Sequence, residues 1–252
     1  MSLRIAIPSY KRSKILKTKT LPFLIRSGFN PADIYVFVAT EEEKQNYTSV
    51  LDPSTYNEIV LGVPTLFRQR LFIRNYFPVG TRVLSLDDDI KDIIFKTPQH
   101  IPTFVQTMFD LSIQEGVSLW GLYPCDNKFF MKERVMKGLQ FIIGQVYGFI
   151  AKPIPEEDIT MDLSSKEDVW LSLYLYKKEG ATLRYEGAAA KTRMFAPGGL
   201  SEFRTTETES LVTDLLAAEY PDLCDSGIKK NGMKDVLFKK LGRTTVQLPH
   251  TQ

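Results

Sequence analysis

The apolar positions of the first 90 residues change period repeatedly, and each change marks an element. Leu3-Arg4-Ile5-Ala6-Ile7 is a short, nearly continuous apolar run stopped by Pro8-Ser9-Tyr10, which reads as a buried strand. Over residues 13–28 the spacing becomes helical, with Leu16, Leu21, Leu24 and Ile25 roughly on one face. Pro22 weakens the middle of that helix, and Gly28 stops it. Residues 34–39 form a second strand, Tyr35-Val36-Phe37-Val38 being rich in β-formers. Thr40 followed by Glu43 is a capping-box pattern that opens a helix. Glu58–Leu61 is a third strand, and residues 65–77 form a helix carrying Arg68, Arg70 and Arg74, ended by Pro78-Val79-Gly80. The run Arg82-Val83-Leu84-Ser85-Leu86 is a fourth strand, and it leads directly into Asp87, Asp88 and Asp89. Strands and helices in strict alternation predict a mostly parallel sheet with right-handed crossovers.

The remainder is less regular. Ile101, Phe104, Val105, Met108 and Leu111 form a helical stripe; residues 117–123 read as a strand and residues 139–150 as a strand pair or one bent strand. Residues 167–178 form a helix, 181–186 a strand, 196–199 a loop, and 209–218 a helix with Leu211, Val212, Leu215 and Leu216 on one face. After Ser226 the chain is basic. With no repeat and no low-complexity linker, one continuous domain is expected over residues 1–252: a first half at 1–90, a second at 91–225, and a basic tail at 226–252.

Composition narrows the class. The 252 residues are 43% hydrophobic, enough for a full core, and the net charge of +2 does not mark a strong polyelectrolyte binder. Cys125 and Cys224 form no CxxC pair, so neither a zinc site nor a disulfide framework is expected, and a reducing cytoplasm is the simplest location. No signal peptide and no apolar run long enough for a membrane span is found. Neither GxGxxG after the first strand nor GxxxxGK[ST] occurs, which excludes the dinucleotide fingerprint and the P-loop.

The candidate chemistry begins at the three aspartates. Adjacent carboxylates repel, so a cluster at the end of a buried strand needs a divalent cation, arginine partners or full solvation. At the carboxyl edge of a parallel sheet it would stand where open α/β folds bind ligands. Side chains two residues apart on a strand share a side, so Asp87 and Asp89 can hold Mg2+ or Mn2+ and leave positions open for diphosphate oxygens. A turn of solvated acids explains the same residues. The loop Pro8-Ser9-Tyr10-Lys11-Arg12 faces the same edge, with an aromatic ring for a nucleobase and cations for phosphate. Arg70 and Arg74 share a helix face and can meet a diphosphate or pair with the aspartates. Glu167-Asp168 opens a helix, where the dipole favours a carboxylate and keeps its pKa low. Paired glycines, Gly198 and Gly199, let backbone N–H groups approach an anion. The two histidines, His100 and His250, read as solvated loop and tail residues.

Taken together, these residues resemble the GT-A-type nucleotide-sugar glycosyltransferases: a strand into a nucleotide-binding loop, alternating units to a strand ending in DxD, then an acidic ED at a helix start. More narrowly, Ile5-Ala6-Ile7-Pro8-Ser9-Tyr10-Lys11-Arg12, Arg74-Asn75-Tyr76-Phe77 and Ser85-Leu86-Asp87-Asp88-Asp89-Ile90 resemble the phage TET-associated glycosyltransferases, which are similar to the base J glucosyltransferases. The resemblance implies an α/β, Rossmann-like GT-A fold, three-layer α/β/α with a mixed, mainly parallel central sheet. It implies a UDP-sugar donor, Mn2+ or Mg2+, and as acceptor a hydroxymethylated pyrimidine in DNA, reached through Lys128, Lys132, Arg134 and Lys137 or through Lys229, Lys230, Lys234, Lys239 and Lys240. Asp89 becomes the main metal ligand, and Asp87 faces the ribose or the metal. Pro8, Tyr10 and Arg12 line the nucleotide pocket. Asp168, beside Glu167, is the base of an inverting transfer. A late metal-binding histidine of many GT-A enzymes has only His250 as its counterpart. A glycan or protein acceptor, a metal-dependent nucleotidyl- or phosphotransferase, and a non-catalytic nucleotide- or DNA-binding module stay open as alternatives.

Overall fold

The computed structural model describes residues 2–192, 205–229 and 232–248. The first half follows the expected alternation: β1 (Leu3–Pro8), α1 (Ser13–Thr18), α2 (Thr20–Arg26), β2 (Ile34–Val38), α3 (Glu41–Val50), β3 (Glu58–Leu61), α4 (Leu66–Tyr76) and β4 (Arg82–Leu86). The helix expected over residues 13–28 is two helices broken at Lys19. The cause is Pro22, whose ring would collide with the carbonyl of Thr18 in a continuous helix; instead it occupies the first turn of α2, where no N–H is needed. Thr40 caps α3 by accepting the Glu43 N–H. Glu43 completes no standard capping box, because its carboxylate accepts the N–H groups of Ala39 and Lys11 instead of that of Thr40.

The second half comprises β5 (Asp92–Phe95), α5 (Ile101–Gln114), β6 (Leu119–Leu122), β7 (Val135–Gly138), β8 (Val146–Ile150), α6 (Glu167–Glu179), β9 (Thr182–Tyr185), β10 (Ala188–Lys191), α7 (Thr206–Glu219), β11 (Cys224–Ile228), β12 (Lys234–Phe238) and β13 (Thr244–Val246). Residues 139–150 hold one strand, β8, which pairs with β4 and β6; the strand before it, β7, lies inside a stretch whose charges mask a strand pattern and pairs with β9 and β13. Of the four large apolar residues of α7, Val212 and Leu216 turn inward, beside the buried Thr213, while Leu211 and Leu215 are exposed, because a single helix face does not hold four such neighbours. The segment expected as a basic tail contributes β12, paired with β11, and β13, paired with β7.

Among the described residues, nine strands form one sheet in the order β13-β7-β9-β6-β8-β4-β1-β2-β3. β4, β1, β2 and β3 are mutually parallel, as are β6 and β9; β8 runs antiparallel between β4 and β6. Period-two alternation divides the core. Ile5, Ile7, Val36, Leu84 and Trp120 pack on one face with α1, α2, α3 and α5. Ala6, Phe37, Val83, Leu119 and Phe149 pack on the other with α4, α6 and α7. The result is three layers with a mixed sheet at the centre.

Strand order reverses at β1, whose neighbours β2 and β4 connect to opposite halves of the sheet. Ligands of open α/β sheets bind at the carboxyl ends of strands beside such a reversal. The loop after β1 and the aspartates after β4 both lie at this edge.

Candidate active site

Strand β4 ends at Leu86, so the three aspartates lie on a turn and no longer follow the strand period. Their side chains take different partners. Asp88 accepts the Ser9 hydroxyl at 2.6 Å, and Arg12 Nη1 stands 3.4 Å from Asp88 and 3.8 Å from Asp89. Asp89 also accepts the Thr192 hydroxyl at 2.6 Å. Asp87 turns to Arg70, whose Nη2 lies 3.1 Å from its Oδ1. Arginine pairing therefore supplies counter-charge to all three carboxylates, Arg12 to Asp88 and Asp89 and Arg70 to Asp87.

The turn is braced from within the fold. Thr20, fully buried at the start of α2, donates to the Asp87 carbonyl at 2.8 Å and accepts the Ile90 N–H at 2.9 Å. Tyr47 of α3 stands 2.6 Å from Ser9 Oγ and accepts the Arg12 N–H at 2.9 Å, so α3 holds the loop after β1 in place. Burial pushes the Asp88 carboxyl up to about 6, with Ser9 and Arg12 pulling it down. Burial likewise pushes Asp87 up to about 7; Arg70 lowers it, while Asp88, Asp89 and Glu167 raise it.

Arg70 joins the two acidic motifs. It is buried, donates to the Gly144 carbonyl at 3.0 Å, approaches Glu167 Oε1 at 3.6 Å, and lies over the Tyr147 ring with its guanidinium 5.3 Å from the centroid. Burial works against its charge, but Tyr147, Glu167, Asp87 and Asp168 raise its pKa well above the usual value. A Cβ on Gly144 would stand 2.4 Å from Arg70 Nη1, so only glycine admits the guanidinium there. Arg74, one turn along α4 and thus about 5 Å farther from the carboxyl edge, is buried 4.7 Å from the Phe149 ring centroid. Arg70 therefore reaches the aspartates and Arg74 does not.

Glu167 and Asp168 begin α6. Asp168 accepts the Gly144 N–H at 3.0 Å and its neighbour Val169's N–H at 2.8 Å. The low pKa expected from the helix dipole is not found: burial, reinforced by Glu167, pushes Asp168 up to about 6 against Arg70 and the two N–H groups. Desolvation of a carboxylate outweighs the partial charge of a helix end. Asp168 lines two spaces at once. One is a crevice shared with Arg70, Gly144 and Tyr147. The other is a pocket of about 300 Å3 between α6, α7 and β12.

The remaining expectations fall as follows. Tyr10 is half-buried beside Lys11, whose Nζ is 5.0 Å from its ring centroid, and Pro8 ends β1. Gly198, Gly199, Lys230 and His250 lie outside the described residues. His100 is exposed and pairs with Thr103, as a loop histidine. The basic stretches are largely paired: Arg134 with Glu186, Lys137 with Glu115, Lys229 with Asp235, and Lys234 with Asp214. Ser9 stands in the expected loop with a role its sequence position does not announce, and Thr20, Tyr47, Gly144, Tyr147 and Thr192 carry no local sequence signal.

Among the described residues no three His, Cys, Asp or Glu side chains enclose a metal site. Mg2+ and Mn2+ ask for less, since one or two carboxylates suffice when phosphate oxygens and water complete the shell. Asp89 and Asp87 have the chemistry for that sparser set. Among the described residues no helix is long and apolar enough to cross a membrane.

No protein-family model and no curated protein matches the sequence. Solved structures do. A Staphylococcus aureus TarS fragment, residues 1–349 in complex with UDP-GlcNAc, superposes with a TM-score of 0.58 at 14% identity, over 86% of this chain and 67% of that one. In another structure of the same fragment this chain covers 65% of it. A mycobacterial protein aligns with a TM-score of 0.52 at 10% identity over 96% of this chain and 85% of its own. Glucosyl-3-phosphoglycerate synthase of Mycobacterium tuberculosis, in complex with Mn2+, UDP-glucose and phosphoglyceric acid, gives 0.50 at 13% identity over 96% and 88%. The shared feature is the fold, the GT-A form of the Rossmann-like α/β class.

Proposed function

We propose that the chain is a glycosyltransferase that moves a sugar from a nucleoside-diphosphate sugar to an acceptor hydroxyl. The observation that carries this is Arg70, which ties the acidic turn after β4 to the ED pair of α6 and so supports reading the first as a donor edge and the second as a source of the base. The similar TarS and glucosyl-3-phosphoglycerate synthase structures hold UDP-sugars, which supports UDP as the donor nucleotide.

In this reading Pro8, Tyr10 and Arg12 border the nucleotide, with Gly198 and Gly199 as further donor contacts. Asp87 and Asp89 face the diphosphate. A Mn2+ or Mg2+ ion, when bound there, neutralises charge on the departing diphosphate. Arg70 keeps Asp87 and Glu167 in place, and Arg74, buried one turn away, stabilises α4 against β8. The acceptor oxygen forms its bond to the anomeric carbon as the bond to the diphosphate oxygen breaks, and Asp168 takes the hydroxyl proton. A single displacement of this kind inverts the anomeric centre.

Asp89→Ala tests the reading directly. Incubation with labelled UDP-glucose or UDP-GlcNAc, and separately with a nucleoside triphosphate, should give sugar release or transfer from the first two only. The variant should lose at least 100-fold while keeping the circular dichroism spectrum of the folded protein. Full activity in Asp89→Ala, or turnover of the triphosphate alone, would overturn it.

A further inference from the structure

We propose that the pocket of about 300 Å3 beside Asp168 is an acceptor subsite built for a neutral saccharide ring and not for a nucleic acid. This rests on the transferase reading above and assigns the acceptor class of that same site. Three observations carry it.

The first is size. About 300 Å3 lies at the low end for small-molecule sites, so the pocket admits one ring and not a duplex or a flipped nucleotide with its backbone. The second is the wall. Phe141 and Phe238, half-buried with centroids 5.9 Å apart, form an apolar surface on which the C–H face of a sugar ring packs. The third is the charge pattern. Lys166 donates to Asp235 at 2.7 Å and stands 3.1 Å from Glu209, while Lys229 takes the other Asp235 oxygen. Ammonium donors and carboxylate acceptors therefore alternate around the rim, which suits hydroxyl groups that both give and accept hydrogen bonds. With Asp168 included, the described lining holds three carboxylates and two ammoniums, so it is not the cation-rich surface that a phosphate backbone selects.

Lys166 also fixes the pocket's shape. It adopts a left-handed backbone conformation with φ of 57° just before α6, and its side chain bridges α7, through Glu209, to β12, through Asp235. The wall carrying Phe238 is thereby held beside Asp168.

The test measures binding and transfer in the whole protein. Methyl glycosides of glucose, galactose and N-acetylglucosamine are titrated by saturation-transfer NMR without donor, then supplied as acceptors with UDP-glucose or UDP-GlcNAc. A duplex carrying 5-hydroxymethylcytosine is the competing acceptor. At least one glycoside should bind and accept sugar, and Phe238→Ala should weaken its binding about tenfold or more relative to UDP. Asp235→Asn serves as a second, nearly isosteric variant, and Phe129→Ala, an exposed aromatic outside the pocket, as the control that leaves both affinities alone. Transfer to the duplex and to none of the glycosides overturns the inference, as does glycoside binding indifferent to both pocket variants. A glycoside that binds in the pocket while no UDP-sugar binds anywhere counts against the transferase reading instead.

Discussion

Arg70 reaches from α4 to Asp87, with 3.1 Å between Nη2 and Oδ1, and this contact links two acidic motifs 80 residues apart in the chain. The guanidinium sits where a loop glycine, an aromatic ring and three carboxylates converge. A planar guanidinium, with five donors in a fixed fork and a face that stacks on an aromatic ring, suits such a junction better than the compact ammonium of a lysine.

Gly144→Ala should separate Arg70 from Asp87, because the new Cβ would fall 2.4 Å from Nη1. A displacement near 1 Å at a catalytic constellation costs about 100-fold in rate. The expected outcome is a folded protein with UDP-sugar turnover reduced to that extent, measured beside circular dichroism. Wild-type turnover would show that Arg70 is not a positioning residue.

Thr20→Val should weaken the fold without touching any charged group. Its buried hydroxyl serves both the Asp87 carbonyl and the Ile90 N–H, and both would be left unpaired. Losing them costs about 2 kcal/mol, which lowers Tm by about 4–8 °C in a protein of this size. Calorimetry checks the figure.

Arg12→Ala should destabilise in a pH-dependent way. Asp88 has a folded-state pKa of about 6, above its ordinary 3.8, so its contribution to stability is full below about 4 and is lost as pH rises through 6. Arg12 offsets that loss by pairing with the ionised form, and removing it raises the Asp88 pKa further. The variant should therefore lose about 3 kcal/mol at pH 8 and much less at pH 5, read from paired denaturation curves. An equal loss at both values would assign Arg12 a packing role only.

Turnover should fall on the acid side of neutrality. Asp168 must be ionised to take a proton, and burial places it at about 6; Asp87, at about 7, protonates in the same window and releases Arg70. The acid limb of kcat/KM should thus be steeper than one proton, reaching at least a tenfold loss by pH 5. A profile flat from pH 8 to pH 5 would remove Asp168 from the reaction.

Much of the scaffold was legible because its signals are local. The apolar runs around Ile5, Val36 and Leu84 each carry their strand, and Thr40 and Gly28 bound their helices from immediate neighbours. Legibility failed where charge interrupted pattern: β7 hides within Val135-Met136-Lys137-Gly138, while residues 139–145, largely apolar, carry no strand and contribute Phe141 to the pocket and Gly144 to the Arg70 site. Pro22 was seen to weaken its helix, but whether it bends or breaks a helix depends on what packs around it.

The sequence by itself determined the alternation of strand and helix, hence a parallel sheet whose carboxyl edge gathers Tyr10, Arg12, Asp87 and Asp89, since side-chain period and turn chemistry are properties of adjacent residues. Tertiary structure alone decided which cation meets which carboxylate. Arg12 takes Asp88 and Asp89, Arg70 takes Asp87 and Glu167, and Thr192 reaches Asp89 across 103 positions. It also decided that Asp168 is desolvated and not merely seated at a helix start. Coulomb energy and desolvation depend on distance and burial in space, and neither is encoded in spacing along the chain.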